Sequence, residues 1–315
     1  MPFRKLALLA ASITTVLLAP TTLAHANSFS ALVVYGDSLS DNGNLYNATK
    51  AVLGAGIPTS PPYYMGRYSN GPVAVEQLAS MLGTPLYDFA FGGATSGVGN
   101  IGDGGTQTTL GTFGLPGLTR ELAGSSAFLS TPGLSSNALF VVWGGANDFL
   151  INGPVTTAAA DIVGIVSTLK SAGAQHILVP GMPDLGLTPD YYGVAAATAY
   201  SQQFNALLQA GLPSGVTYFD TFGLLHQIEA NPSAYGITDL TDPCLNPTTG
   251  AVCAKPSQYL FWDGFHPTST IDTTLANNFA VAVLPTPEPP SWLLLASGVA
   301  GLSLLARGAR ERLQT

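Results

Sequence analysis

Five short apolar runs constrain this chain more than any other feature. They span residues 30–35, 86–91, 138–143, 177–180 and 216–220, and segments with helical spacing lie between them. The runs are nearly continuous rather than alternating, as a parallel sheet buried on both faces requires. Helical periodicity is predicted over 73–82, 118–128, 157–172, 194–210 and 268–283, and Val75, Leu78 and Leu82 share one side of the first of these. A short helix through Leu224, Leu225 and Ile228 follows the fifth run. Strands alternating with helices through right-handed crossovers give an α/β fold: a three-layer α/β/α sandwich around a central, mostly parallel five-stranded sheet. Residues 58–70, 97–117 and 231–258 lack periodicity and are predicted as loops. No internal repeat is visible.

The first three runs end in glycine just before a polar cluster. These are Gly36-Asp37-Ser38, Gly92-Gly93-Ala94-Thr95-Ser96 and Gly144-Gly145-Ala146-Asn147-Asp148. All three should meet at the carboxyl edge of the sheet, where open α/β sheets bind ligands. A serine there can cap a helix, shape a turn or act as a nucleophile. Nucleophilic work needs a base to take its proton, and a carboxylate to orient the base. His176 opens a strand with no carboxylate close by, and His226 sits in an apolar helix, so both are expected to be structural. His266 closes Phe261-Trp262-Asp263-Gly264-Phe265-His266-Pro267, where one tight turn can aim Asp263 at the imidazole. Pro267 holds His266 extended. The other two clusters offer donors for a developing oxyanion: a backbone N–H at a glycine, where no Cβ blocks approach, and the Asn147 amide.

Gly36-Asp37-Ser38, Gly93, Gly145-x-Asn147 and Asp263-x-x-His266 resemble, in order, the four blocks of the GDSL (SGNH) esterases and lipases. The phrases 38–44, 66–72 and 261–263 resemble the bacterial and plant-like extracellular branch of that family. The resemblance spans roughly residues 30–283. It implies a flavodoxin-like sheet, Ser38 as nucleophile, His266 as base and Asp263 as the carboxylate that holds it. Ser38 N–H, Gly93 N–H and Asn147 would form the oxyanion hole, with Gly92 as the alternative to Gly93. Asp37, Asp41, Asn44 and Gly145 would support these loops. The implied activity is ester hydrolysis through an acyl-enzyme, with no metal and no organic cofactor. Candidate substrates are a small-molecule ester, a lipid ester or an acetylated polysaccharide. Acyl transfer at the same site and a non-catalytic matrix protein on the same fold are the alternatives. Tyr63, Tyr64, Met65, Tyr68 and Phe113 are candidates for an apolar acyl pocket.

Both termini carry addresses. Residues 1–26 read as a secretory signal, with Arg4 and Lys5, an apolar stretch over 6–18, and Ala24-His25-Ala26 for signal peptidase. Residues 285–315 begin with Pro287-Glu288-Pro289, continue through an apolar stretch at 292–306 and end with Arg307, Arg310 and Arg312. This tail resembles the PEP-CTERM sorting signal, which implies removal by an exosortase-type protease after transient anchoring in the inner membrane. The expected destination is the outside of a Gram-negative cell. The domain between, 27–284, holds five basic and sixteen acidic residues, a formal charge of −11. That balance excludes a nucleic-acid backbone as partner. Cys244 and Cys253 are expected to form a disulfide in an exported chain, since a zinc site would need two further ligands nearby.

Overall fold

The computed structural model describes residues 29–131 and 134–284. The expected signal at 1–26 and tail at 285–315 lie outside the described residues. Among those described, no helix is long and apolar enough to cross a membrane.

The five apolar runs form one parallel sheet of β1 (Leu32–Gly36), β2 (Leu86–Asp88), β3 (Leu139–Trp143), β4 (His176–Pro180) and β5 (Thr217–Phe219) in the order β2-β1-β3-β4-β5. Successive side chains on a strand point to opposite faces. Leu32, Val34, Leu139, Val141 and Trp143 therefore pack on one side, against α2 (Ala74–Leu82), α7 (Thr221–Ala230) and α8 (Ser269–Val283). Val33, Tyr35, Phe140 and Val142 pack on the other, against α3 (Leu118–Gly124), α5 (Val155–Ser171) and α6 (Ala195–Gly211). Both faces are covered, which is the three-layer sandwich expected from the runs. The strand order reverses between β1 and β3, so the carboxyl ends of these neighbours bound the crevice where such sheets take ligands.

Three departures from the sequence reading matter for the site. Asn44–Leu53 is a helix, α1, in a stretch for which the sequence reading assigns no element. Its start is held by the Asp41 carboxylate, which accepts the N–H groups of Gly43 (2.7 Å), Asn44 (2.6 Å) and Leu45 (3.1 Å). The helix predicted over 118–128 breaks at Ser125, whose hydroxyl turns back to the Leu122 carbonyl and meets the Tyr35 hydroxyl. Within the stretch read as irregular, β6 (Asp239–Pro243) pairs in parallel with β7 (Tyr259–Phe261). The register between them shifts, so neither shows clean periodicity. Cys244 and Cys253 are bonded. The N–H of Cys244 donates to Phe261 O, and that of Leu245 to Trp262 O at 2.7 Å. The disulfide loop is thereby stitched to the segment that carries Asp263.

A short helix, α4 (Ala146–Leu150), follows β3 and carries Asn147 in its first turn.

Candidate active site

The strand ends bring Ser38, Gly93 and Asn147 together, and the segment after β7 brings Asp263 and His266 to meet them. β1 ends at Gly36, where a Cβ would lie 2.7 Å from the Trp143 carbonyl on β3, so glycine is required. The chain then turns tightly. Asp37 O accepts the N–H groups of Ser40 and Asp41, and Asp37 Oδ1 accepts that of Leu39 at 3.0 Å. Asp37 thus shapes the turn that presents Ser38, and its own Oδ2 is buried without a partner. Burial pushes its carboxyl up to about 7, against the pull of the Leu39 hydrogen bond.

His266 Nε2 lies 2.8 Å from Ser38 Oγ, and His266 Nδ1 lies 2.8 Å from Asp263 Oδ2. With a carboxylate facing Nδ1, the proton resides there and Nε2 offers its lone pair to the serine hydroxyl. The turn between the two residues is built by Asp263 itself. Its Oδ1 accepts the N–H groups of Phe265 (2.8 Å) and His266 (2.7 Å), and Trp262 N–H donates to His266 O. Burial alone would raise the Asp263 carboxyl. The His266 imidazole and these donors outweigh it and hold the group below the usual carboxylate range.

The other expected donors are also in place. Gly93 takes φ 80°, and a Cβ there would meet Asn100 Oδ1 at 2.6 Å, so only glycine fits. The Gly92 N–H is spent on Asp41 Oδ2 at 2.7 Å. The N–H groups of Gly93 and Ser38 make no hydrogen bond among the described residues, which separates Gly93 from Gly92 as an oxyanion donor. Asn147 follows Gly145, whose φ of 108° swings the chain into α4. One N–H of the Asn147 amide donates to Ala94 O at 2.9 Å, leaving the other for a ligand. Asn44 lies outside this cluster. Its amide clamps the Asp88 and Ala90 carbonyls and so ties α1 to the end of β2.

Several contributors have no sequence signal. Glu121, buried on α3, accepts the N–H groups of Gly36 (2.9 Å) and Phe91 (3.1 Å), joining the nucleophile strand to the turn before Gly93. The Tyr63 hydroxyl donates to Asp263 Oδ2 at 2.7 Å. Tyr63 is thus a support of the acid rather than a pocket wall. Tyr64 and Met65 are exposed and do not line the cleft. The phrase at 66–72 holds the far side: the Tyr68 ring lies over His266 at 4.7 Å, the Ser69 hydroxyl contacts Asp272, and Asn70 Oδ1 accepts Ser269 N–H. His176 rests at the sheet edge against Phe29. His226 is half exposed between Asp184 and Glu229, each 3.0 Å away, rather than packed in an apolar setting.

Ser38, Gly93, Asn147 and His266 open into a cleft of about 480 Å³, within the usual range for small-molecule sites. Tyr68 and Phe113 line it, as expected for two of the five aromatic and Met candidates, together with Leu45, Leu53, Ile57 and Leu115. Asp190 is the acidic residue at its edge. Among the described residues no group of three or more His, Cys, Asp or Glu is disposed to hold a metal ion.

A parallel sheet in this order, with Ser38, His266 and Asp263 hydrogen-bonded in line at its switch point, is the frame of an α/β hydrolase. The chain belongs to the GDSL-like Lipase/Acylhydrolase family, whose model matches residues 32–279. It is similar to a phosphatidylcholine-sterol acyltransferase of Aeromonas hydrophila, 32% identical over 231 residues that cover 69% of this chain and 66% of that protein. A thermolabile hemolysin of Vibrio parahaemolyticus is 28% identical over 269 residues, covering 76% of this chain and 60% of that one. The chain therefore spans just under two thirds of the length of both. Among solved structures, a lipolytic G-D-S-L family protein from Veillonella parvula is similar at 13% identity and TM-score 0.45, covering 81% of this chain and 97% of that one.

Proposed function

We propose that this protein is an exported serine ester hydrolase that works through an acyl-enzyme. The observation that carries this reading is the unbroken line from Asp263 Oδ2 through the His266 ring to Ser38 Oγ, with 2.8 Å at each step. His266 Nε2 takes the Ser38 proton as Oγ attacks the ester carbonyl. The oxyanion that forms is met by the N–H groups of Ser38 and Gly93 and by the free N–H of the Asn147 amide. As the tetrahedral intermediate collapses, His266 gives its proton to the leaving alcohol, and Ser38 keeps the acyl group. A water then enters, loses a proton to Nε2 and releases the acid. Asp263 holds the imidazole in the tautomer that both halves need. Export is supported by the Cys244–Cys253 bond, since disulfides persist in oxidising compartments.

Acyl transfer is a second reading, favoured by the similarity to an acyltransferase. It uses the same acyl-enzyme, with an alcohol in place of the water. Product analysis with and without added alcohol separates the two.

Ser38→Ala and His266→Ala should each lower kcat/KM on a short p-nitrophenyl ester by at least about three orders of magnitude. A fluorophosphonate should label the parent and not Ser38→Ala. Near-parental turnover by folded Ser38→Ala overturns the assignment.

A further inference from the structure

The turn after β2 and the first turn of α4 carry Gly93 and Asn147, and the two segments are tied to each other twice. The first tie is the Asn147 amide on Ala94 O. The second comes from the next residue of α4. Asp148 Oδ2 accepts the Ser96 N–H at 2.9 Å, and Asp148 Oδ1 accepts the Ser96 hydroxyl at 2.8 Å. Ser96 and Asp148 are both fully buried, and among the described residues no Lys, Arg or His pairs with this carboxylate. A buried carboxylate without a cation is costly unless donors take its oxygens. Here one residue of the neighbouring turn takes both, and the Gln107 side chain adds a further hydrogen bond.

Two ties do what one cannot. A single hydrogen bond to Ala94 O lets the Asn147 amide tilt about that bond. A carboxylate that grips the N–H and the O–H of one residue fixes distance and orientation together. The Gly93 N–H and the free Asn147 N–H then keep one mutual geometry before any ester arrives, which is what a preorganised oxyanion hole needs. Neither Ser96 nor Asp148 lines the cleft, so both act from behind it. Ser96 Oγ also lies 3.0 Å from Asp161 Oδ2 on α5, which is half-buried. The hydroxyl has one hydrogen and cannot serve two carboxylates at once. The Ser96 N–H goes to Asp148, so the two-point grip is with α4.

Resting on the serine-hydrolase reading, we propose that Asp148, acting through Ser96, is a positioning residue for the oxyanion hole. It locks the Gly93 turn to α4, so that the donors from Gly93 and Asn147 meet the developing charge together.

The test compares kcat, KM and the affinity for phenylboronic acid, all on the full chain. The Ser38 Oγ–boron bond forms as His266 takes the hydroxyl proton, and the tetrahedral boronate presents an oxygen to the oxyanion donors. Ser96→Ala keeps the backbone N–H on Asp148. It should lower kcat on a short p-nitrophenyl ester about ten-fold and leave KM within about two-fold. Its Kd for phenylboronic acid should rise by the factor that kcat/KM falls. Asp148→Asn turns an NH₂ group toward one of the two Ser96 donors and should lose about a hundred-fold in kcat. The double variant should be no worse than Asp148→Asn, since both act through one contact.

Two controls separate positioning from stability. Thr84→Val deletes another buried hydroxyl, bonded to Phe29 O ahead of β2 at the amino edge of the sheet. It should lose stability to urea as Ser96→Ala does and keep the parental kcat. Asp161→Asn gives Ser96 Oγ an amide donor and should hold kcat at or above the parent's. Losses under about two-fold in Ser96→Ala, multiplying losses in the double variant, an unmoved boronate Kd, or a matching kcat loss in Thr84→Val or Asp161→Asn overturns the proposal. If Asp148→Asn does not fold, Ser96→Ala decides. A parent that neither turns over esters nor binds the boronic acid sinks the serine-hydrolase reading itself, whereas missing losses in an active parent sink the positioning role alone.

Discussion

Tyr63 and Asp37 act on the site from opposite sides without lining its reactive face. The Tyr63 hydroxyl spreads the negative charge of Asp263 by holding the oxygen that faces the imidazole. In Tyr63→Phe that oxygen loses a donor, and the carboxylate's hold on the His266 ring loosens. The kcat/KM on a short p-nitrophenyl ester at neutral pH should fall about ten-fold, in kcat more than in KM. A kcat equal to the parent's excludes a positioning role. Asp37 titrates against stability. Its carboxyl is raised from 3.8 to about 7 by burial, so between those values the folded protein holds a proton that the unfolded chain has released. Stability contributed by this group therefore falls as pH rises through that window. Asp37→Asn keeps an acceptor for Leu39 N–H and removes the titration. By urea unfolding it should exceed the parent by roughly 2–4 kcal/mol at about pH 8, with the gap closing toward about pH 4. Of these two, Asp37 was legible as a turn residue beside Ser38. Tyr63 was not, because two hundred residues separate it from Asp263.

At the scale of elements, α3 does more than cover the sheet. Glu121 accepts the Gly36 N–H and shares the Phe91 N–H with the Gly36 carbonyl. Glu121→Ala would leave the Gly36 N–H buried without this partner, costing about 1–3 kcal/mol, while the Phe91 N–H keeps the Gly36 carbonyl. Urea unfolding should show a loss of roughly 1–3 kcal/mol, together with lower turnover, since Gly36 and Phe91 lead directly into the Ser38 and Gly93 turns. The five strands were readable to within three residues at each end, because a sheet buried on both faces demands apolar runs. The helix α1 was not, because Asn42, Gly43, Asn44 and Asn47 crowd its start and its cap comes from Asp41, ahead of the helix. The pair β6 and β7 escaped for a different reason: a shifted register and a half-exposed face erase the period-two signal.

Across the whole molecule, charge and chemistry are kept apart. The cleft edge carries Asp190 as its acidic group, while most of the domain's −11 lies elsewhere. A neutral ester feels little of that field. Its kcat/KM should change by less than about two-fold between about 20 mM and about 500 mM salt, whereas a cationic ester should react faster at low salt. Steady-state rates on a matched pair of p-nitrophenyl esters check this.

The sequence by itself determined the sheet, the carboxyl-edge position of Ser38 and the local pairing of Asp263 with His266, because each depends on apolar periodicity or on neighbours three residues apart. Only the tertiary structure decided that His266 reaches Ser38, that Gly92 is committed to Asp41 while Gly93 is free, and that Tyr63 and Glu121 hold the assembly. Those contacts join segments tens to hundreds of residues apart. Their existence depends on strand order and on which buried N–H groups are left without a ladder partner, and a linear pattern encodes neither.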